Sequence, residues 1–240
     1  MQIAAASCSF QGGRKYNEDC VMLNNRDGIC AAVVADGLGG HGGGQIASQI
    51  VAGHIASSFM LNPRIDTGHI RMLFEQANKK VVESQMPGQK MKSTGAALFI
   101  HNGAALWGHA GDTRLYHFRN GALACQTMDH SVSQMAVLSG EITQDQIRNH
   151  DDRNMVLKAF GSAERFSAEI APICVLTHAF HAFLLCTDGF WEYVLENEME
   201  SELAKAASPD NWLQFMIRIL ERRAPKGNDN YSAAAVFVNI

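Results

Sequence analysis

Two Asn-Gly dipeptides, Asn102-Gly103 and Asn120-Gly121, each follow a short apolar run, and they constrain the fold more than any other feature of the chain. Both residue types tolerate positive φ, so each dipeptide predicts a tight hairpin. The first joins the run Gly95–His101 to Ala104–Ala110, and the second closes the run 113–118. Strands joined in this way pair antiparallel, which argues against a doubly wound parallel sheet. Further β-like runs are Ile29–Ala35, 182–187 and 233–238, all bounded by Gly, Asn or Asp.

Two helical patterns stand between the early strands. Over 44–60 the residues Ile46, Ile50, Val51, Ile55 and Phe59 recur near helical spacing. Over 66–84 the set Ile70, Leu73, Phe74, Ala77 and Val81 does the same, with Asp66 as the predicted N-cap. A third amphipathic stretch covers 210–222. Each carries one apolar stripe, so each is expected to lie on a sheet, giving sheets flanked by helices. Residues 131–162 are polar with short helical patterns, and they interrupt two strand-rich halves. They read as an inserted subdomain, a flap over one end of a single domain spanning 1–240.

Charge and cysteine usage exclude several classes. The chain carries 20 basic and 24 acidic residues, and its nearest approach to a basic run is Arg222-Arg223 with Lys226. A nucleic-acid partner is therefore not expected. The six cysteines, at 8, 20, 30, 125, 174 and 186, form no C-x-x-C pair and read as reduced, mostly buried thiols of a cytoplasmic protein. The opening residues lack the basic and apolar regions of a signal peptide and read as a first strand. No stretch approaches the roughly 18 apolar residues of a membrane span, so no membrane association is expected.

Acidic residues sit at the ends of the apolar runs. Asp36 ends Ile29–Ala35, Asp112 follows Ala104–Ala110, Asp188 ends 182–187, and Asp229 precedes the last run; Glu18 and Asp19 precede Val21. A carboxylate at a strand end is rigidly held yet reaches solvent. Several converging at one end of a sandwich would make an all-oxygen site suited to Mg²⁺ or Mn²⁺. Any one of these residues alone reads better as a turn former. Glycine after Asp36 and Asp188 weakens that reading, because it lets the backbone approach a ligand. The histidines show no zinc-like spacing and read as hydrogen-bonded or solvent-facing groups.

In order along the chain, Arg14-x-x-Asn17-Glu18-Asp19, Val34-Ala35-Asp36-Gly37-Leu38-Gly39-Gly40-His41, Ser93-Thr94-Gly95-Ala96, Gly111-Asp112-Thr113-Arg114, Asp129-His130-Ser131, Thr187-Asp188-Gly189-Phe190-Trp191 and Asp229-Asn230 resemble the motifs of the metal-dependent Ser/Thr protein phosphatases of the PPM family (type 2C), in bacterial stand-alone style. The match runs from about Ser9 to Ile240. It implies an α+β fold, a four-layer α-β-β-α sandwich with two central antiparallel sheets. It also implies hydrolysis of phosphoserine and phosphothreonine monoesters by a metal-activated hydroxide, opposing a Ser/Thr kinase in signalling. By resemblance Asp36 bridges two Mn²⁺ or Mg²⁺ ions with the Gly37 carbonyl as a further ligand. Asp188 holds one ion and Asp229 the other. Glu18 binds through water with Asp19 nearby, and Asp112 with Asp188 marks a third metal position. Arg14 grips the phosphate of the protein substrate, and Arg14, Asp36 and Asp188 form the catalytic set of a monomeric enzyme.

Two departures stand out. Leu38 occupies the position where many eukaryotic members carry a histidine assigned as general acid, and His41 is close in sequence but leaves that acid unassigned. In the last motif Tyr231-Ser232 follows Asn230 in place of the usual pattern. Two other classes stay open at this stage: a catalytically inactive module that binds phosphorylated partners, and a metal-dependent phosphodiesterase. The presence of every expected aspartate disfavours the first, and the single candidate phosphate-binding arginine disfavours the second.

Overall fold

The computed structural model describes residues 1–39, 43–86, 91–164 and 166–240. Its strands are β1 (Gln2–Phe10), β2 (Cys20–Arg26), β3 (Ile29–Ala35), β4 (Gly37–Leu38), β5 (Lys92–Ser93), β6 (Gly95–His101), β7 (Ala104–Ala110), β8 (Arg114–Arg119), β9 (Ala122–Gln126), β10 (Glu169–Ile170), β11 (Cys174–Val175), β12 (Phe180–Cys186) and β13 (Tyr231–Asn239). Its helices are α1 (Gly43–Leu61), α2 (Thr67–Ser84), α3 (Val132–Ser139), α4 (Asp188–Trp191), α5 (Glu196–Leu203) and α6 (Pro209–Arg223).

Both Asn-Gly hairpins form. Asn102 and Gly103 adopt φ of 50° and 73°, and Asn120 and Gly121 adopt 50° and 88°. The strands build two main antiparallel sheets, one ordered β1-β13-β12-β8-β9 and the other β10-β7-β6-β3-β2 with β11 also on β7, while β4 and β5 pair in a small third one. Strand alternation then divides the core into three layers. On β13, Ala234, Val236 and Val238 face Cys30, Ala32 and Val34 of β3 between the sheets. Their neighbours Ala233, Ala235 and Phe237 face α5 and α6, while Ala31, Val33 and Ala35 face α1 and α2. The result is the expected helix–sheet–sheet–helix sandwich.

Asp66 caps α2 as expected, its side chain accepting a hydrogen bond from the His69 amide. Of the stripe expected on α1, Val51, Ile55 and Phe59 are buried and Ile50 packs partly buried against the core. Ala47, Ser48, Val51, Ala52, Ile55, Ala56 and Phe59 are buried, while Ile46 is 47% exposed. Small residues face the sheet because the start of α1 is drawn against β4. A side chain at Gly44 would strike the Gly37 backbone. The segment 131–162 contains α3 and a 3₁₀ turn at Gln144–Asn149, whose Ile147 is buried in the layer under α5 and α6.

Candidate active site

The sheets deliver their strand ends to one rim. Asp36 follows β3, Asp112 lies in the β7–β8 turn, Asp188 opens α4 directly after β12, and Asp229 precedes β13. Arg14 and Glu18 come from the loop between β1 and β2. Together with Gly37 these residues line one cleft of about 530 Å³. Asp19 does not line it. Asp19 is buried behind the cleft, where Oδ2 accepts from the Thr187 hydroxyl at 3.0 Å and Oδ1 has no hydrogen-bond partner.

The backbone around each carboxylate is tied down. The Asp36 carbonyl accepts from the Thr94 amide and the Ser93 hydroxyl, both at 2.8 Å. Asn230 pins the β1–β2 loop: its side-chain oxygen accepts from the Glu18 amide at 2.8 Å, and its amide donates to the carbonyls of Gln11 and Tyr16 at 2.7 and 2.9 Å. Glycine is required at 37, where any side chain would run into the Gly44 carbonyl, and at 189, where it would meet the Asn230 carbonyl.

Charge in the cleft is poorly compensated. Burial, then the neighbouring carboxylates Asp19, Asp188, Asp112 and Asp229, hold the Asp36 carboxyl well above its ordinary range. Asp188 is raised in the same way, by burial and then by Asp112, Glu192 and Asp229. Burial pushes Asp19 and Asp112 each up to about 7. Two cations line the cleft, Lys15 and Arg14, and the Arg14 Nη2 donates to Asp229 Oδ2 at 2.6 Å with its side chain 56% exposed. Several buried carboxylates with so little positive charge among them cost free energy unless something cationic joins them. Oxygen-only donors suit a hard divalent cation, so the residues present fit a metal of the Mg²⁺ or Mn²⁺ kind.

Several other motif residues serve the scaffold. Arg114 is fully buried and makes a bidentate pair with Asp129 at 2.8 and 2.7 Å. Its guanidinium stacks 3.5 Å from the Trp191 ring, and the Trp191 indole donates to the Asp112 carbonyl at 3.0 Å. Glu192 went unremarked in the sequence, although it lies four residues after Asp188 and so shares its helix face. Burial raises its carboxyl, and Arg153 donates to it at 2.8 Å. Lys15, Tyr16, Asn154 and Val156 also line the cleft, and no periodicity announced them. Leu38 lines it too, whereas His41 lies outside the described residues. His109 and His130 form a second cluster with Glu169, ligand atoms within 4.8 Å of one another. Their rings are stacked with planes 4° apart and centroids at 4.5 Å, so in-plane lone pairs cannot converge on one ion.

Comparison with known proteins agrees with this geometry. The family model described as Protein phosphatase 2C matches residues 13–231. The serine/threonine phosphatase stp of Listeria monocytogenes is 30% identical over 79% of this chain and 78% of its own. The crystal structure of the serine/threonine phosphatase Stp1 from Staphylococcus aureus is 25% identical, with a TM-score of 0.86 over 100% of this chain and 96% of that one. The catalytic domain of the phosphatase PstP, solved with two manganese ions, superposes with a TM-score of 0.85 at 24% identity over 99% of both chains. With most of its length matched by the family model and its strand-end carboxylates gathered in one cleft, this chain belongs to the protein phosphatase 2C family, the metal-dependent serine/threonine protein phosphatases.

Proposed function

We propose that the cleft between Arg14, Asp36, Asp112, Asp188 and Asp229 is where this chain hydrolyses phosphoserine and phosphothreonine in other proteins. The observation that carries the reading is the convergence of buried and half-buried carboxylates beside one half-exposed arginine. Asp36, Asp188 and Asp229, with the Gly37 carbonyl, would hold two divalent cations. Glu18 and Asp112 are near enough to support them, and Asp19 acts from behind the cleft by fixing Thr187 at the start of α4. Such cations supply Lewis acidity, making water nucleophilic near neutral pH and neutralising phosphate charge.

The chain's own residues do the rest. Among the described residues Asp229 is the sole hydrogen-bond partner of the Arg14 guanidinium, so donors remain for two oxygens of a phosphate monoester. Asn230 holds the loop that carries Arg14 and Glu18, which keeps the phosphate clamp in register with Asp36. No histidine is among the described residues lining the cleft, and the group that protonates the leaving oxygen stays unassigned. Residues 131–162 act as a flap, with Asn154 and Val156 forming one wall of the cleft. The reading is supported by the two manganese ions in PstP and by relatives named for serine/threonine dephosphorylation. It extends to a monomeric, cytoplasmic enzyme that opposes a Ser/Thr kinase.

Hydrolysis of a phosphothreonine peptide, with Mn²⁺ and then with EDTA, tests it. Turnover that needs the metal and collapses in Asp188→Asn is the expected result. A folded, Mn²⁺-binding protein without turnover would leave a phosphopeptide-binding module instead.

A further inference from the structure

On the far side of the 154–158 wall lies a second, smaller pocket of about 170 Å³. Its lining includes Met128, Met135, Leu138 and Leu157, which come from three separate segments and are 49%, 55%, 62% and 57% exposed. Apolar side chains gathered in one concavity at this exposure mark a contact site, and methionine is common at surfaces that accept varied partners. The volume falls below the few hundred Å³ of a small-molecule site and matches a single side chain.

The wall tells which chain would enter. Residues 130–132 and 155–157 form a short antiparallel ribbon: the Val132 amide donates to the Met155 carbonyl at 3.0 Å, the Leu157 amide donates to the His130 carbonyl at 2.7 Å, and Ser131 pairs with Val156. Strand alternation sends successive side chains to opposite faces. Val156 lines the catalytic cleft and its neighbour Leu157 lines the pocket, whose rim His130 and Ser131 of the other strand complete. The ribbon stands between the cleft and the pocket. Its two strands lie about 5 Å apart and an extended chain advances about 3.3 Å per residue, so a crossing is on the scale of a few residues. Lys158 and Glu169 stand at the pocket with opposite charges, so neither sign of charge is favoured there and apolar character is what discriminates.

We infer that this pocket is a substrate subsite, taking one apolar side chain of Leu, Ile or Met size from within three residues of the phosphorylated position. The inference rests on the phosphatase reading of the cleft and adds to it a sequence preference. The Leu138 and Met135 side chains are the natural levers, since both are exposed and neither belongs to the catalytic cleft.

A set of phosphothreonine peptides, each carrying Leu in place of Ala at one of the three positions on either side, tests this. Turnover of p-nitrophenyl phosphate, which has no flanking chain, is the internal standard. One Leu position should raise kcat/KM about tenfold, through KM. Leu138→Ser and Met135→Ser should each erase that preference while leaving p-nitrophenyl phosphate turnover unchanged. A flat scan with normal hydrolysis of both substrates overturns the subsite and leaves the phosphatase reading standing. Equal losses on both substrates in the variants also overturn it, since they would mean a general disturbance of the fold. A concentration-dependent dimer that Leu138→Ser dissociates, with peptide kinetics untouched, overturns it in favour of a second copy of the chain as occupant. If the wild-type protein hydrolyses neither substrate, the phosphatase reading fails and the subsite falls with it.

Discussion

The molecule buries charge in two adjoining places and treats it in opposite ways. Around Arg114 every charge has a partner: Arg114 and Asp129 are each 2% exposed, joined by two short hydrogen bonds, with Trp191 on one guanidinium face and the Tyr116 hydroxyl at 3.1 Å. A few ångströms away, across the indole of Trp191, Asp36, Asp112 and Asp188 face one another with one arginine at the cleft's exposed rim. The first arrangement is what a scaffold needs, a fixed geometry at small net cost. The second stores unfavourable energy that a cation relieves on binding. The difference separates motif residues that hold the site from those that use it, although both kinds look alike in sequence.

The contrast can be broken most directly at Asp188. Asp188→Asn should lower turnover of a phosphothreonine peptide by about a hundredfold or more. The same variant in EDTA should show a Tm equal to or above wild type, because a repelling carboxylate has been removed. A clear fall in Tm would mean that Asp188 serves the scaffold.

On the other side of Trp191, Arg114→Met should cost about 3–5 kcal/mol in urea unfolding, as an unpaired Asp129 is left buried. Adding Asp129→Leu should recover much of the loss, so the two changes should be strongly non-additive. Additive losses would show that the pair is not the unit described here.

At the rim, Arg14→Ala should lower kcat/KM for the peptide by about 10- to 100-fold, the scale of a charge-assisted hydrogen bond. Arg14→Lys should recover only part of it, because an ammonium cannot make the fork. Full recovery by lysine would reduce Arg14 to a simple counter-charge.

The smallest effect concerns buried groups that are kept neutral. His117 lies between the sheets, its Nε2 3.0 Å from His181 Nδ1, and burial pulls its pKa down to about 4. The unfolded chain takes up that proton near pH 6.5, so His117 stabilises the fold fully above that pH. The contribution is lost as pH falls towards 4, on the order of 1–2 kcal/mol. Urea midpoints at pH 7, 5.5 and 4.5 should fall less steeply in His117→Leu than in wild type.

Much of this was legible in the sequence. The hairpins followed from Asn-Gly chemistry, the sandwich from alternating strands and one-faced helices, and the cleft from aspartates placed at strand ends. What escaped had physical reasons. The strands β10 and β11 are two residues each, too short for any period to show. The charged run 196–202 shows no stripe long enough to read as amphipathic, yet Met199 and Leu203 are buried on one side of α5, and Glu196 accepts from Arg148 at 2.6 Å. Asn230 could be placed in a motif, but its three hydrogen bonds to the β1–β2 loop join residues more than 200 positions apart, which no local pattern encodes. Met135 and Leu138 gain their setting only from the fold, which places them beside Met128 and Leu157.

The position of β13 has a consequence for how the enzyme comes into being. It is the second strand of its sheet, hydrogen-bonded to β1 on one side and to β12 on the other, and Asp229 immediately precedes it. During synthesis β1 and β12 both emerge before the strand that must lie between them, and that sheet stays split until residue 239 has left the ribosome. Asp229, which lines the cleft and to which the proposed function gives a cation to hold, arrives with the same stretch of chain. A polypeptide cut short before β13 is therefore expected to be inactive towards phosphoproteins.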